Sequence, residues 1–183
     1  QKLGKAGAPG WGGFKGVRAT PTVDGGLLFA IGQYGEVVGY EAATGREIWR
    51  KHLVEDFGAK LPEWGYSESA LVDGDKVVCT PGGKEGAIVA LDKRTGKLLW
   101  QSKEFTDPAH YSSLIFAEIG GVRQYVQLTA ASVAGVAADD GRLLWRAERK
   151  GRTAVIPTPI YEDGHVYVAS GYGIGCNLFQ ITE

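Results

Sequence analysis

The chain repeats itself, and the repeat limits what it can fold into. Thr44-Gly45-Arg46-Glu47-Ile48-Trp49, Thr95-Gly96-Lys97-Leu98-Leu99-Trp100 and Asp140-Gly141-Arg142-Leu143-Leu144-Trp145 each set a glycine four positions before a tryptophan. The tryptophans are 51 and 45 residues apart. A second marker precedes each of these. Asp24-Gly25, Asp73-Gly74, Gly120-Gly121 and Asp163-Gly164 recur at spacings of 49, 47 and 43. Such dipeptides accept positive φ and stand between runs rich in β-branched and aromatic residues, the pattern of hairpin turns. Both markers keep their order, so one unit is copied about four times.

Each unit reads as four short strands. The first comprises 19–23, 27–31, 37–41 and 47–53; the second 68–72, 76–80, 87–92 and 97–102. The third comprises 113–118, 122–128, 132–137 and 142–147. The fourth gives 155–161, 165–170 and 176–181, and stops before a fourth strand. No helix is expected, because glycine interrupts almost every window. The run 133–138 has helix-forming alanines, but its register against 87–92 marks a strand. Gly171 to Gly175 resembles a phosphate loop, yet it lacks the lysine and the following helix and reads as a turn between strands.

Four-stranded units at a period of roughly 40–50 residues are the pattern of β-propeller blades. The expected fold is all-β, with about four four-stranded antiparallel blades. The divisions fall at 1–17 for a lead-in, then 18–60, 61–105, 106–150 and an incomplete 151–183. A blade cannot bury both faces alone, so Trp49, Trp100 and Trp145 are expected between blades, where ring area gives the largest burial. Gly45, Gly96 and Gly141 supply the left-handed residue of the turn before them. Asp92 accepts bonds from that turn and from Thr95.

Ala90-Leu91-Asp92-Lys93-Arg94-Thr95-Gly96-Lys97-Leu98-Leu99-Trp100 matches the pattern Ala-x-Asp-x-x-Thr-Gly-x-x-x-Trp. It resembles the tryptophan docking motif of the pyrroloquinoline quinone (PQQ)-like propeller repeats, a family of quinoprotein alcohol dehydrogenases and BamB-like assembly factors. The first unit departs from it at Gly39 and Glu41, the third at Gly135, Ala137 and Asp140. The resemblance runs over about residues 17–183. It implies rings of seven or eight blades and an envelope or secreted location. Three completions stay open: a piece of a larger ring, two copies forming one ring, or a strand from Gln1 to Val17 closing a small one.

The balance of charge narrows the partners. With 20 basic and 21 acidic side chains the net charge is −1, unlike the basic footprint of a nucleic-acid binder. No apolar run nears the ~18 residues of a membrane span. The chain begins at Gln1, has no methionine and shows no signal peptide, which suggests a processed or partial chain. Cys79 and Cys176 fall in different units and are expected as two free, mostly buried thiols.

In a propeller, the inner strands and the loops entering them line a shared funnel. The candidates there are Arg18 and Thr20; Trp64, Tyr66, Ser67 and Glu68; His110, Tyr111, Ser112 and Ser113; and Arg152, Thr153 and Thr158. Tyr66-Ser67 and Tyr111-Ser112 read as equivalent positions. The leading expectation is a non-catalytic scaffold that binds a protein or small ligand at this funnel, with no cofactor and no metal. The alternative, implied by the resemblance, is a fragment of a PQQ- and Ca²⁺-dependent oxidoreductase acting on alcohols or sugars. Glu68 is the one carboxylate near an inner-strand start and Asn177 the one asparagine, so the alternative needs its catalytic Asp elsewhere. The histidines His52, His110 and His165 have no metal-type spacing, and no Gly-x-Ser-x-Gly elbow is present.

If the tryptophans lie between blades, Trp100→Ala costs ~3–5 kcal/mol in a urea unfolding titration. Gly96→Val also lowers the midpoint, because a β-branched residue resists the left-handed conformation. Midpoints equal to the parent's for both variants contradict the blade reading.

Overall fold

Residues 2–5, 7 and 16–182 are described by a computed structural model. Strands β1 (Thr22–Asp24), β2 (Leu27–Ile31), β3 (Glu36–Glu41) and β4 (Glu47–His52) form one antiparallel sheet in that order. A second sheet holds β5 (Leu71–Asp73), β6 (Lys76–Cys79), β7 (Val89–Asp92) and β8 (Leu98–Gln101). A third holds β9 (Ile115–Ile119), β10 (Val122–Leu128), β11 (Ser132–Ala137) and β12 (Leu143–Glu148). The last has three strands, β13 (Ile160–Glu162), β14 (His165–Ser170) and β15 (Gly175–Gln180). This is the all-β repeat read from the sequence, with inner strands that begin later than expected.

Two turn types make each sheet. Between β13 and β14, Asp163 and Gly164 have φ of 46° and 75°, a turn whose twist suits the flanking strands. Between β7 and β8, Asp92 Oδ1 accepts from Thr95 N (2.8 Å), Thr95 Oγ1 (2.7 Å) and Arg94 N (3.1 Å). Gly96 then closes the turn at φ 69°, donating its N–H to Asp92 O at 2.8 Å. Gly45 and Gly141 repeat that closure. The bonds from Thr95 hold the Asp92 carboxyl below its usual range.

The sheets pack face to face through apolar clusters. Phe29, Val37, Trp49, Val77 and Leu91 join the first pair. Val78, Ala90, Tyr125 and Val136 join the second, and Val126, Leu128, Val166 and Val168 the third. Trp49 lies between two glycines. A Cβ on Gly39 of its own sheet would sit 2.6 Å from the ring, and one on Gly96 of the next sheet 2.7 Å. Its Nε1–H donates to Lys93 O of that next sheet at 2.9 Å. Trp100 covers Gly141 in the same way, and its Nε1 has no partner. Trp145 covers Gly135 and donates to Gln124 Oε1 of its own sheet (2.6 Å).

Polar links run along the same seams. Lys93 Nζ reaches Asp24 Oδ2 at 2.8 Å. Asp73 accepts from Tyr125 OH (2.7 Å) and Arg123 Nε (3.1 Å). Burial pushes the Asp73 carboxyl up, but these bonds outweigh it and hold the group below its usual value. On the segments entering the first strands, Thr20 N donates to Ser69 Oγ and Ser69 N to Ser113 Oγ, both at 3.0 Å.

Three expectations change. A one-turn helix, α1 (Leu53–Phe57), follows β4 where only a strand end was expected. His52 caps it, Gly58 ends it at φ 65°, and Leu53 and Phe57 are buried against the second sheet. Burial of two apolar side chains one turn apart outweighs the weak local propensity. Cys79 and Cys176 are both free thiols, but Cys176 is exposed, because β15 pairs only with β14 and no further strand or sheet covers it among the described residues. The described part of the lead-in supplies no strand to the fourth sheet. It lies on the first, where Arg50 donates to Leu3 O and Lys5 N to Glu36 Oε1. Residues 8–15 of the lead-in are outside the described set.

Candidate funnel site

The antiparallel order puts the tight turns at one end of every sheet. The β2–β3 loops and the crossings to the next sheet gather at the other. Those crossings build the site. Arg18, on the segment entering the first sheet, donates from Nη1 to Trp64 O on the next crossing. Trp64 N donates to Tyr111 OH at 3.3 Å, and the two rings lie 5.7 Å apart. The His110 ring lies against Tyr111 at a tilt of 35°, with centroids 4.4 Å apart. Its Nδ1 accepts from Val155 N at 2.9 Å on the crossing to the fourth sheet. The cluster therefore draws on four entering segments. Burial lowers the His110 pKa, and an accepting Nδ1 leaves the proton on Nε2.

The remaining candidates take other places. The Thr20–Ser69–Ser113 ladder links the first three entering segments. Tyr66 points into the core, with its OH donating to Pro81 O at 2.9 Å. Ser67 Oγ donates to Tyr111 O at 3.4 Å, and buried Ser112 Oγ to Pro157 O at 3.0 Å. Arg152, Thr153 and Thr158 are exposed on the last crossing.

Glu68 is buried behind the rim. Its Oε1 accepts from Thr80 N at 2.5 Å, while Oε2 has no partner. Burial pushes its carboxyl up to about 7, against the lowering effect of the Thr80 bond. Thr80 Oγ1 accepts from Gln127 Nε2 (2.7 Å), which also donates to Ser112 O (3.2 Å). A buried polar chain thus runs behind the rim from Glu68 to Pro157. Gln127 was missed in the sequence, although a glutamine between Val126 and Leu128 in an apolar strand was the available signal. Asp107 was missed too: it accepts from Thr129 Oγ1 (2.8 Å), Ser132 Oγ and Arg146 Nη2 (3.2 Å) and ties the β10–β11 loop to a crossing.

The described residues offer no converging carboxylates for the calcium that the resemblance implies. Calcium takes about six to eight converging oxygens. No group of three His, Cys, Asp or Glu able to hold a metal occurs among the described residues. Glu68 has Tyr66, Thr80 and Cys79 around it rather than further carboxylates. Asn177 lies on edge strand β15 and accepts from Arg149 Nε at 3.0 Å.

A family model described as outer membrane protein assembly factor BamB matches residues 2–181. Quinohemoprotein alcohol dehydrogenase ADH IIB of Pseudomonas putida is 29% identical over 147 residues, 72% of this chain and 20% of that protein. The assembly factor BamB of Moranella endobia is 23% identical over 163 residues, 86% of this chain and 36% of that protein. The solved BamB of Moraxella catarrhalis superposes with a TM-score of 0.55 at 21% identity, over 89% of this chain and 43% of that one. The chain thus spans about a third or less of the curated relatives named.

Glu68 generates a pH prediction. Its folded pKa is raised, so between about pH 4.5 and 7 the unfolded chain ionises while the folded one stays protonated. This group's contribution to stability is full below pH 4.5 and is lost as pH rises to about 7, a change of roughly 3 kcal/mol. Glu68→Gln keeps the acceptor for Thr80 and removes the titration. Urea midpoints at pH 5 and 7.5 should differ less for this variant than for the parent; equal differences contradict the assignment.

Proposed function

The chain belongs to the family described as outer membrane protein assembly factor BamB, and we propose that it acts as a non-catalytic scaffold. Its funnel face binds a segment of a protein partner in the cell envelope. The observation that carries this reading is the aromatic cluster in which half-buried Trp64 and His110 rest on buried Tyr111. Amphipathic rings held by backbone bonds from neighbouring segments lose little entropy on contact, which is what binding hot spots need. The near-neutral charge favours recognition by shape and aromatic contact over electrostatic steering. Arg18, held against Trp64 O beside the cluster, offers its guanidinium to polar groups of the bound segment.

A second reading is supported by the 29% identity to a quinohemoprotein alcohol dehydrogenase. Under it the chain is a stretch of a PQQ- and Ca²⁺-dependent oxidoreductase whose metal ligands and catalytic Asp lie outside these residues.

Titration with PQQ in the presence of Ca²⁺, read by tryptophan fluorescence, separates the readings. The scaffold predicts no saturable quenching, and saturable calcium-dependent quenching contradicts it. Short displayed peptides selected on the immobilised chain should bind Trp64→Ala roughly tenfold or more weakly than the parent, the scale of a hot-spot ring. Unchanged binding by every selected peptide counts against the funnel site.

A further inference from the structure

Glu68 stands where a charge has no support. Its side chain is 2% exposed, on the segment that enters β5. One carboxyl oxygen accepts from Thr80 N, and the other meets no donor. No Lys, Arg or His of the described residues offsets its charge. The groups that face it are neutral. They are the Tyr66 hydroxyl of its own segment and the Cys79 thiol of β6, each pushed up by burial first and by Glu68 second. From the third sheet comes uncharged Gln127, one bond further on through Thr80 Oγ1. A carboxyl so placed must gain water or move in order to ionise.

The residues beside it are the ones that tie this segment to its neighbours. Tyr66 N donates to Gln33 O of the β2–β3 loop, and Tyr66 OH to Pro81 O of the β6–β7 loop. Ser67 Oγ donates to Tyr111 O and Ser69 N to Ser113 Oγ, both on the crossing to the third sheet. Thr80 leads through Gln127 to Ser112 O on that same crossing. Glu68 sits in the middle of these links and is the member that titrates near neutral pH. A movement of its side chain therefore acts on bonds to the first and the third sheets together.

We propose that Glu68 is a proton-operated latch of the funnel rim: protonated, it holds residues 64–69 against the β6–β7 loop and the crossing at 110–113; ionised, it draws in water and releases them while the sheets stay folded. The latch belongs to the rim itself and works whichever ligand the funnel takes. Its carboxyl is raised from 4.5 to about 7, so closure is strongest below pH 4.5 and weakens as pH rises to about 7. His110 acts with the opposite sign. Burial lowers its pKa, and its Nδ1 accepts from Val155 N only while the ring is neutral, so that link weakens as pH falls below 6.5.

Amide exchange on the 183-residue chain at pH 6 and 8, corrected for base catalysis, tests this. The rim amides are those of Trp64, Tyr66, Ser69 and Tyr111, and strands β10 and β11 are the reference. From pH 6 to 8 rim protection in the parent should fall roughly tenfold relative to the reference strands. In Glu68→Gln, which keeps the acceptor for Thr80, the ratio should stay level or rise. An equal loss in β10 and β11 means that the carboxyl acts on the whole fold, and it overturns the latch. So does the same relative fall in Glu68→Gln. A second measurement needs no variant: the carboxyl ¹³C resonance of Glu68 should titrate with the midpoint at which rim protection is lost. Separate midpoints, or titration with no loss of rim protection, also overturn the proposal.

Discussion

The contact on which the rest depends is an indole ring laid over a glycine of the next sheet. One sheet cannot bury both of its faces, and the seam between sheets needs a flat filler of large area. Trp49 meets that need because both residues beneath it lack a side chain. Gly96 does two jobs at once. It takes the left-handed conformation that closes the β7–β8 turn, and it leaves the space for the ring. The turn and the packing are therefore one constraint, which explains the fixed glycine-to-tryptophan spacing in the sequence. Lys93 adds to the same joint, giving its carbonyl to the indole and its ammonium to Asp24.

This construction separates the two ends of the molecule. One end carries only tight turns, held by their own bonds. The other carries the crossings, and these have freedom to hold functional side chains on a rigid frame. The aromatic cluster of Trp64, His110 and Tyr111 sits there, with buried Glu68, Thr80, Gln127 and Ser112 behind it. The chain of bonds from Glu68 to Pro157 couples three successive crossings, so the rim is built as one unit and not as independent loops.

The repeat was legible because period and turn chemistry are local. Strands β10, β11 and β14 fall where the pattern put them, and the turn glycines have the backbone angles their spacing demanded. What the sequence hid depends on neighbours in space. Tyr66 and Tyr111 look equivalent along the chain and both are buried, yet Tyr66 donates to Pro81 O of its own unit while the Tyr111 hydroxyl accepts from Trp64 N of the segment before it. α1 has no strong local signal; it forms because Leu53 and Phe57 have a second sheet to bury against. Cys176 is exposed for the converse reason. Of the candidate residues, Arg18, Trp64, His110 and buried Tyr111 come together, whereas Tyr66, Ser112 and Glu68 lie behind them.

A double-mutant cycle on Trp49→Ala and Gly96→Ala tests the central contact most directly. Both single variants and the double are unfolded in urea. If the ring occupies the space above Gly96, a methyl group there is costly with Trp49 present and costs only backbone strain once the ring is gone. The account predicts a coupling of about 1–2 kcal/mol between the two sites. Strictly additive effects would show that the indole does not rest on that glycine.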